Sequence, residues 1–290
     1  MTTLNQRGEE RAVNAPTHFV ETNGRRLAYR SVGSGEPLIL CVRLRGVLDV
    51  WDPAFLDALA DTFRVIIFDY SGLGQSTGEA SYEPIAMARD AVDLADALGI
   101  DRFVAGGWSL GGQGAQVLTV LYPKRVTRLI LIGTTPPGRV RLGPEPVFYD
   151  RALKFENDLE DETVLFFEPA SQLSRTSAKA SHDRIAARTE DRSPVVPEAT
   201  YLRLLKARGT SGDELFRDDG YRDFLSKSSI PILVISGDHD IVFPVQNWFD
   251  LIRHWRSLHL LIIPQAGHGA QHQEPRLCAD VITKFVTNAI

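Results

Sequence analysis

The stretch Gly107-Trp108-Ser109-Leu110-Gly111 follows directly on the apolar run Phe103-Val104-Ala105. Gly-x-Ser-x-Gly between a strand and a helix is the pattern of a nucleophile elbow. The turn is so sharp that the serine takes a strained backbone conformation, and small residues must flank it where strand and helix crowd together. The strain holds the hydroxyl clear of the backbone and aims it into a cleft. It also sets the next amide, that of Leu110, at a helix N-terminus, where a developing oxyanion can be bound. A helical segment over 111–122, closed by Pro123, supplies the required context.

An activated serine needs a base and a carboxylate, which in this arrangement follow in the order Ser, Asp, His. Residues 231–236 are β-branched and apolar, bounded by Pro and Gly, and read as a buried parallel strand running into Gly237-Asp238-His239-Asp240. A carboxylate just past such a strand lies on the same sheet edge as the serine. Asp240 is preferred as the acid; Asp238 is its rival, with the plainer role of bonding backbone amides in the turn. Residues 259–264 read as a further strand and lead to Gln265-Ala266-Gly267-His268-Gly269. His268 therefore sits on a flexible loop at the same edge, able to meet Ser109 with one ring nitrogen and Asp240 with the other. His272, close by at the entry to the last helix, reads as a surface or packing histidine. A lone histidine is usually structural, so His268 is chosen on the strength of the whole set.

These residues, with Phe68-Asp69-Tyr70-Ser71-Gly72-Leu73-Gly74-Gln75-Ser76, Pro244 and Ala266-Gly267-His268, carry a resemblance. Nearly everything after residue 17 resembles the α/β-hydrolase fold, in the compact bacterial group of esterases, lactonases and cofactor-free haloperoxidase-like perhydrolases. The resemblance implies a mostly parallel eight-stranded sheet flanked by helices, with Ser109, Asp240 and His268 as a catalytic triad. It also supports Asp240 over Asp238.

The rest of the chain reads in the same way. An Asn23-Gly24 turn inside 18–32 indicates a hairpin. Strands are expected at 38–44, 64–69, 103–107 and 128–133, and a helix at 84–98, ended by Gly99. Asp52 before Pro53 is an N-cap signal. The alternation indicates a doubly covered α/β sheet. The glycines of 71–78 fit no phosphate-binding pattern and indicate a tight turn beside the cleft. Residues 135–229 break the rhythm with prolines and with helical stretches at 149–158 and 199–208, too long for a plain loop. An insertion here resembles the family's helical cap. The expected division is a loose arm over 1–17, a core over 18–134 and 230–290, and a cap over 135–229. Phe148, Tyr149, Phe155, Phe166, Phe167 and Tyr201, with Trp108, are candidates to line a pocket under that cap, although most aromatic side chains of an insertion simply hold it together.

One stretch departs from the family. Members usually carry His-Gly after the third strand, and the residue after that pair gives the second oxyanion amide. Here the strand continues Cys41-Val42-Arg43-Leu44-Arg45-Gly46, so Val42-Arg43 stands in that place and Leu44 becomes the second donor. Arg43 or Arg45 would meet an anionic group on the substrate or close the cleft against the cap. The plainer reading, which is preferred, leaves both solvated or paired with surface carboxylates.

Composition narrows the classes. Net charge is −5 with no basic block, which argues against a nucleic-acid partner. No apolar run approaches the ~20 residues of a membrane span. The start of the chain lacks the apolar stretch of a secretory signal. Cys41 and Cys278 lack metal-ligand spacing, and two free thiols indicate a cytoplasmic protein. The expectation is a serine hydrolase acting on a small ester or lactone without metal or organic cofactor; a homodimer stays open as its assembly. Rivals are perhydrolysis, which uses the same triad, carbon–carbon bond hydrolysis, and a ligand receptor on a hydrolase fold.

Overall fold

The structure, a computed structural model, describes residues 12–154, 156–209 and 214–288. Eight strands form one sheet: β1 (His18–Thr22), β2 (Arg25–Val32), β3 (Glu36–Cys41), β4 (Phe63–Phe68), β5 (Phe103–Trp108), β6 (Val126–Ile132), β7 (Ile232–Gly237) and β8 (Leu258–Ile263). Their spatial order is β1-β2-β4-β3-β5-β6-β7-β8. The first two strands pair antiparallel, β2 meets β4 antiparallel, and all other pairs are parallel. The sheet expected from the sequence is thus present. Every residue of β5 and β7 is buried, which is why these strands read as unbroken apolar runs. The Asn23-Gly24 turn has positive φ at both residues, 48° and 76°, as a two-residue hairpin requires.

Eleven helices accompany the sheet among the described residues: α1 (Pro53–Ala60), α2 (Pro84–Ala97), α3 (Leu110–Leu121), α4 (Pro146–Ala152), α5 (Leu159–Phe166), α6 (Gln172–Ala186), α7 (Glu198–Arg208), α8 (Tyr221–Lys227), α9 (Phe249–Ile252), α10 (Ala270–Gln273) and α11 (Pro275–Val286). The second, third and eighth pack together as one layer; the first packs with the tenth and eleventh as another. Asp52 caps α1, its carboxylate accepting from the Ala54 amide at 2.9 Å.

Three expectations are corrected. The helix expected over 149–158 ends at Ala152, and Asp158 instead caps α5 through a reciprocal bond with Asp161. Asp in place of Glu at the fourth position of that box hid the boundary. The strand expected over 38–44 stops at Cys41, because Gly46 N–H closes a turn onto Arg43 O at 2.9 Å and Arg45 takes φ 58°. Residues 12–17, assigned to a loose arm, are held on the core. Ala12 N–H donates to Asp57, Arg188 donates to the carbonyls of Val13 and Ala15, and Ala15 is fully buried. Residues 1–11 of that arm and Phe155 lie outside the described residues.

Helices α4 to α8 all lie between β6 and β7. The first three of them pack in sequence, and α6 also rests on α1 and α10, while α8 joins the layer over α3. No helix among the described residues is long and apolar enough to cross a membrane.

Close approach at the elbow fixes how β5, β3 and α3 meet. A Cβ on Gly111 would sit 2.1 Å from Cys41 O, and one on Gly107 would sit 2.2 Å from Gly111 O. Gly111→Ala is expected to abolish folding or to cost well over the ~1 kcal/mol typical of a helical glycine position. Gly99→Ala, where φ is +66° but nothing lies within 4 Å, should cost only about 1–2 kcal/mol. Urea unfolding of both variants checks this; equal costs would contradict it.

Candidate active site

Three strand ends supply the site. Ser109 stands between β5 and α3 with φ 60° and ψ −124°, a strained conformation on the order of 1–3 kcal/mol. Its N–H donates to Ile132 O at 2.9 Å, and its carbonyl accepts from the Thr134 hydroxyl at 2.7 Å. The turn is therefore tied to the neighbouring strand on both sides. Asp240 follows β7. Its Oδ1 accepts the backbone amides of Val242 and Phe243 at 2.8 and 2.9 Å. His268 follows β8, and its Nδ1 lies 2.9 Å from Asp240 Oδ2 and 3.1 Å from Oδ1. Both groups are almost wholly buried. An ionised carboxylate that already accepts two amides is well placed to hold the imidazole with its proton on Nδ1, leaving Nε2 free as an acceptor. Ser109 and His268 line one cavity of about 260 Å³, without a hydrogen bond between them among those of the described residues.

Asp238 sits elsewhere: it accepts from the Ala266 amide at 3.2 Å and lies 2.6 Å from its neighbour His239. It braces the turn, as the plainer reading had it. The loop of His268, expected to be flexible, is pinned. Trp108 Nε1 donates to His268 O at 2.8 Å, and Gly269 N–H donates to Phe166 O at 2.7 Å. Gly133, at φ 46°, is what allows the approach: a Cβ there would lie 2.6 Å from His268 O and 3.5 Å from Asp240 Oδ2.

Leu44 and Leu110 both line the cavity beside Ser109. Neither backbone N–H has an acceptor among the described residues. Amides without an acceptor, in two residues that line one cavity next to a hydroxyl, can bind a negative oxygen if they point into it.

Of the remaining pocket candidates, Arg43, Phe148, Tyr149 and Phe166 line the cavity. Trp108 and Phe167 do not. Trp108 is fully buried behind the site, its ring 5.8 Å from Trp51 and 4.7 Å from His272. Phe167 caps the C-terminus of α5, and its backbone packs on Gly267. Tyr201 is buried under Arg45, whose guanidinium carbon lies 4.2 Å from its ring centre. The turn at 71–78 lies away from the cavity; it wraps Asp69, whose carboxyl burial pushes up to about 6. Sequence reasoning missed Val242 and Phe243, although their place just after Asp240 was a signal. It also missed Arg208 and Gln113, for which the local sequence carries none.

The preferred reading of the two arginines fails. Arg45 donates to the carbonyls of Ala152 and Lys154 at 2.7 and 2.8 Å, tying the β3 loop to the segment after α4. Arg43 lies over the rings of Phe166 and Trp108 at 4.7 and 5.3 Å and makes no ion pair among the described residues. Burial pulls its pKa down to about 10, so it stays charged at neutral pH.

A family model described as the alpha/beta hydrolase fold matches residues 36–275. The chain is 30% identical over 295 residues to an uncharacterised protein of Mycobacterium tuberculosis, covering 95% of this chain and 83% of the relative. It is 26% identical over 262 residues to a putative carbamate hydrolase of Caulobacter, covering 87% and 91%. Among solved structures, an alpha/beta hydrolase fold protein from Chitinophaga pinensis superposes with a TM-score of 0.80 at 29% identity, covering 95% and 98%.

His272, behind Trp108, gives a pH test. It accepts from the Asp52 amide at 3.3 Å, and burial pulls its pKa down to about 4, with Arg43 and Arg184 adding to the drop and Asp52 opposing it. The folded state thus keeps it neutral, while the unfolded chain takes the proton near the ordinary ~6.5. Its contribution is fully present above that value and is lost as pH falls toward 4. His272→Gln should therefore show a smaller drop in melting temperature between pH 7.5 and 4.5 than the native chain. An equal drop would contradict the assignment.

Proposed function

The chain belongs to the α/β hydrolase fold family, and on that footing we propose that it is a serine hydrolase cleaving a small carboxylic ester or lactone through an acyl-enzyme. The observation that carries this reading is the buried Asp240–His268 pair opening onto the same cavity as Ser109 and two unspent amides.

In this reading His268 Nε2 takes the proton from Ser109 Oγ as the oxygen bonds to the substrate carbonyl carbon. The carbonyl oxygen gains the negative charge and is held by the Leu44 and Leu110 amides, each donor worth about 10²–10³ in rate. Asp240 stabilises the imidazolium and does not itself take the proton. The bond to the leaving oxygen then breaks, and His268 returns the proton to that oxygen. Water, deprotonated by the same imidazole, attacks the acyl carbon; the bond to Ser109 Oγ then breaks, His268 returns the proton to that oxygen, and the acid leaves. Ser–His hydrogen bonds are commonly long or poorly aligned in free enzymes and tighten in the reacting complex, so the role does not require one between Ser109 and His268 here. A backbone donor survives a side-chain change, so Val42-Arg43 in the usual His-Gly place leaves the Leu44 amide in use.

Helices α4 to α7 act as a cap: α4, α5 and α7 contribute Tyr149, Phe166 and Leu205 to the cavity wall. Such a cover excludes water from the reaction and shapes what can enter. The kinship to a putative carbamate hydrolase supports attack at an acyl carbon flanked by heteroatoms. Both cysteines are free and buried, in keeping with work in the cytoplasm.

A fluorophosphonate probe tests the proposal. The native chain should label once, with the adduct on Ser109 by mass spectrometry. Ser109→Ala should abolish labelling and lower p-nitrophenyl acetate hydrolysis by at least about 10³-fold. A native chain that neither labels nor hydrolyses esters would favour the receptor reading and overturn this one.

A further inference from the structure

Arg43 is the group the mechanism above does not use. Its side chain lines the cavity together with Ser109, His268, Leu44 and Leu110. One Nη donates to Leu44 O at 2.8 Å. Its Nε is buried with no partner. The rings of Phe166 and Trp108 hold the guanidinium by its carbon, 4.7 and 5.3 Å from their centres. Phe166 and Trp108 also lie 6.2 and 6.1 Å from the His268 ring, so the cation is anchored at the reacting end of the cavity.

Its surroundings leave the charge uncompensated. No carboxylate among the described residues lines the cavity, whereas Arg45 and Arg208 line it as well. Glu162 attracts Arg43, but only at a distance; its carboxylate lies 2.8 Å from His182 Nδ1. The other two arginines are engaged with the protein, Arg45 with two carbonyls and Arg208 with Gln113 and the carbonyls of Leu215 and Tyr82. A half-buried guanidinium with a buried, unmatched N–H is costly to keep unless something fills it. Its planar fork matches a carboxylate, two parallel bonds at a time. In a chain of net charge −5, a cationic, acid-free cavity also draws anions selectively.

We propose that the substrate of this site carries a free carboxylate, held by Arg43, beside the ester or lactone bond that is cleaved. This rests on the hydrolase reading and narrows it to the half-esters of short dicarboxylic acids and their close analogues. The cavity, about 260 Å³, suits a small acid rather than a long acyl chain.

The test compares esters matched in size but not in charge. Monomethyl succinate and monomethyl glutarate place the anion on the acyl part, O-acetylglycolate places it on the alcohol part, and dimethyl succinate is the neutral partner. The native chain should prefer at least one anionic ester over the neutral one in kcat/KM, and which arm wins tells the part that carries the anion. Arg43→Gln should lower the anionic-to-neutral ratio by about 10–100-fold, the usual worth of a charge-assisted bond. Arg43→Lys, which keeps charge but not the fork, should fall between. A ratio unchanged in both variants would overturn the inference, as would a native preference for the neutral ester. Calorimetric binding of monomethyl glutarate to Ser109→Ala, with and without Arg43→Gln, separates the two readings. Binding that needs Arg43 in a native chain unreactive to esters and to fluorophosphonate would sink the hydrolase reading alone. Fluorophosphonate labelling together with Arg43-independent binding would sink the carboxylate inference alone.

Discussion

The distance between backbones at the elbow is the constraint on which the site depends. With no Cβ on Gly111, the first turn of α3 lies against the carbonyl of Cys41, where β3 ends. That contact puts the loop after β3 beside the N-terminus of α3, and so brings the amides of Leu44 and Leu110 to the same cavity as Ser109. Gly133 does the same service one strand over, letting the loops after β7 and β8 close on each other until His268 meets Asp240. The polar groups are thus positioned by glycine contacts between strand ends, and hydrogen bonds from Trp108 and Gly269 then hold the histidine loop in place.

Much of this was legible in the sequence where geometry leaves few choices. Ser109, the order of acid and base after it, and the strands that carry them are written in short stretches whose turn chemistry admits little else. Buried strands such as β5 and β7 announce themselves as unbroken apolar runs because both faces are covered. Legibility fails where tertiary packing decides. The assignment of 12–17 to a loose arm ignored Arg188, far along the chain, whose guanidinium holds two carbonyls there. Trp108 and Phe167 count as pocket candidates for their aromatic rings, but packing buries both in the protein interior. Arg208 lines the cavity from the end of α7, and nothing in its neighbourhood marks it.

The departure at Val42-Arg43 changes the side chains of the loop after β3 while its turn stays closed by backbone atoms. The turn that ends β3 is closed by backbone atoms, with Gly46 N–H on Arg43 O, so it tolerates a large residue at 43. Arg43 then lies on Phe166 and Trp108, with burial lowering its pKa without removing its charge. Arg45, two residues on, also lines the cavity and ties the loop to the carbonyls of Ala152 and Lys154. One short loop thus places Leu44 and Arg43 at the cavity and ties itself, through Arg45, to the end of α4.

The central claim is that Ser109, His268 and Asp240 act as one unit, and non-additivity measures this most directly. Ester hydrolysis should be compared for Ser109→Ala, His268→Ala and the double variant. If the residues share one reaction step, each single change costs at least about 10³-fold and the double variant is no worse than either. Losses that multiply, or a single variant that keeps most of its activity, would contradict the account.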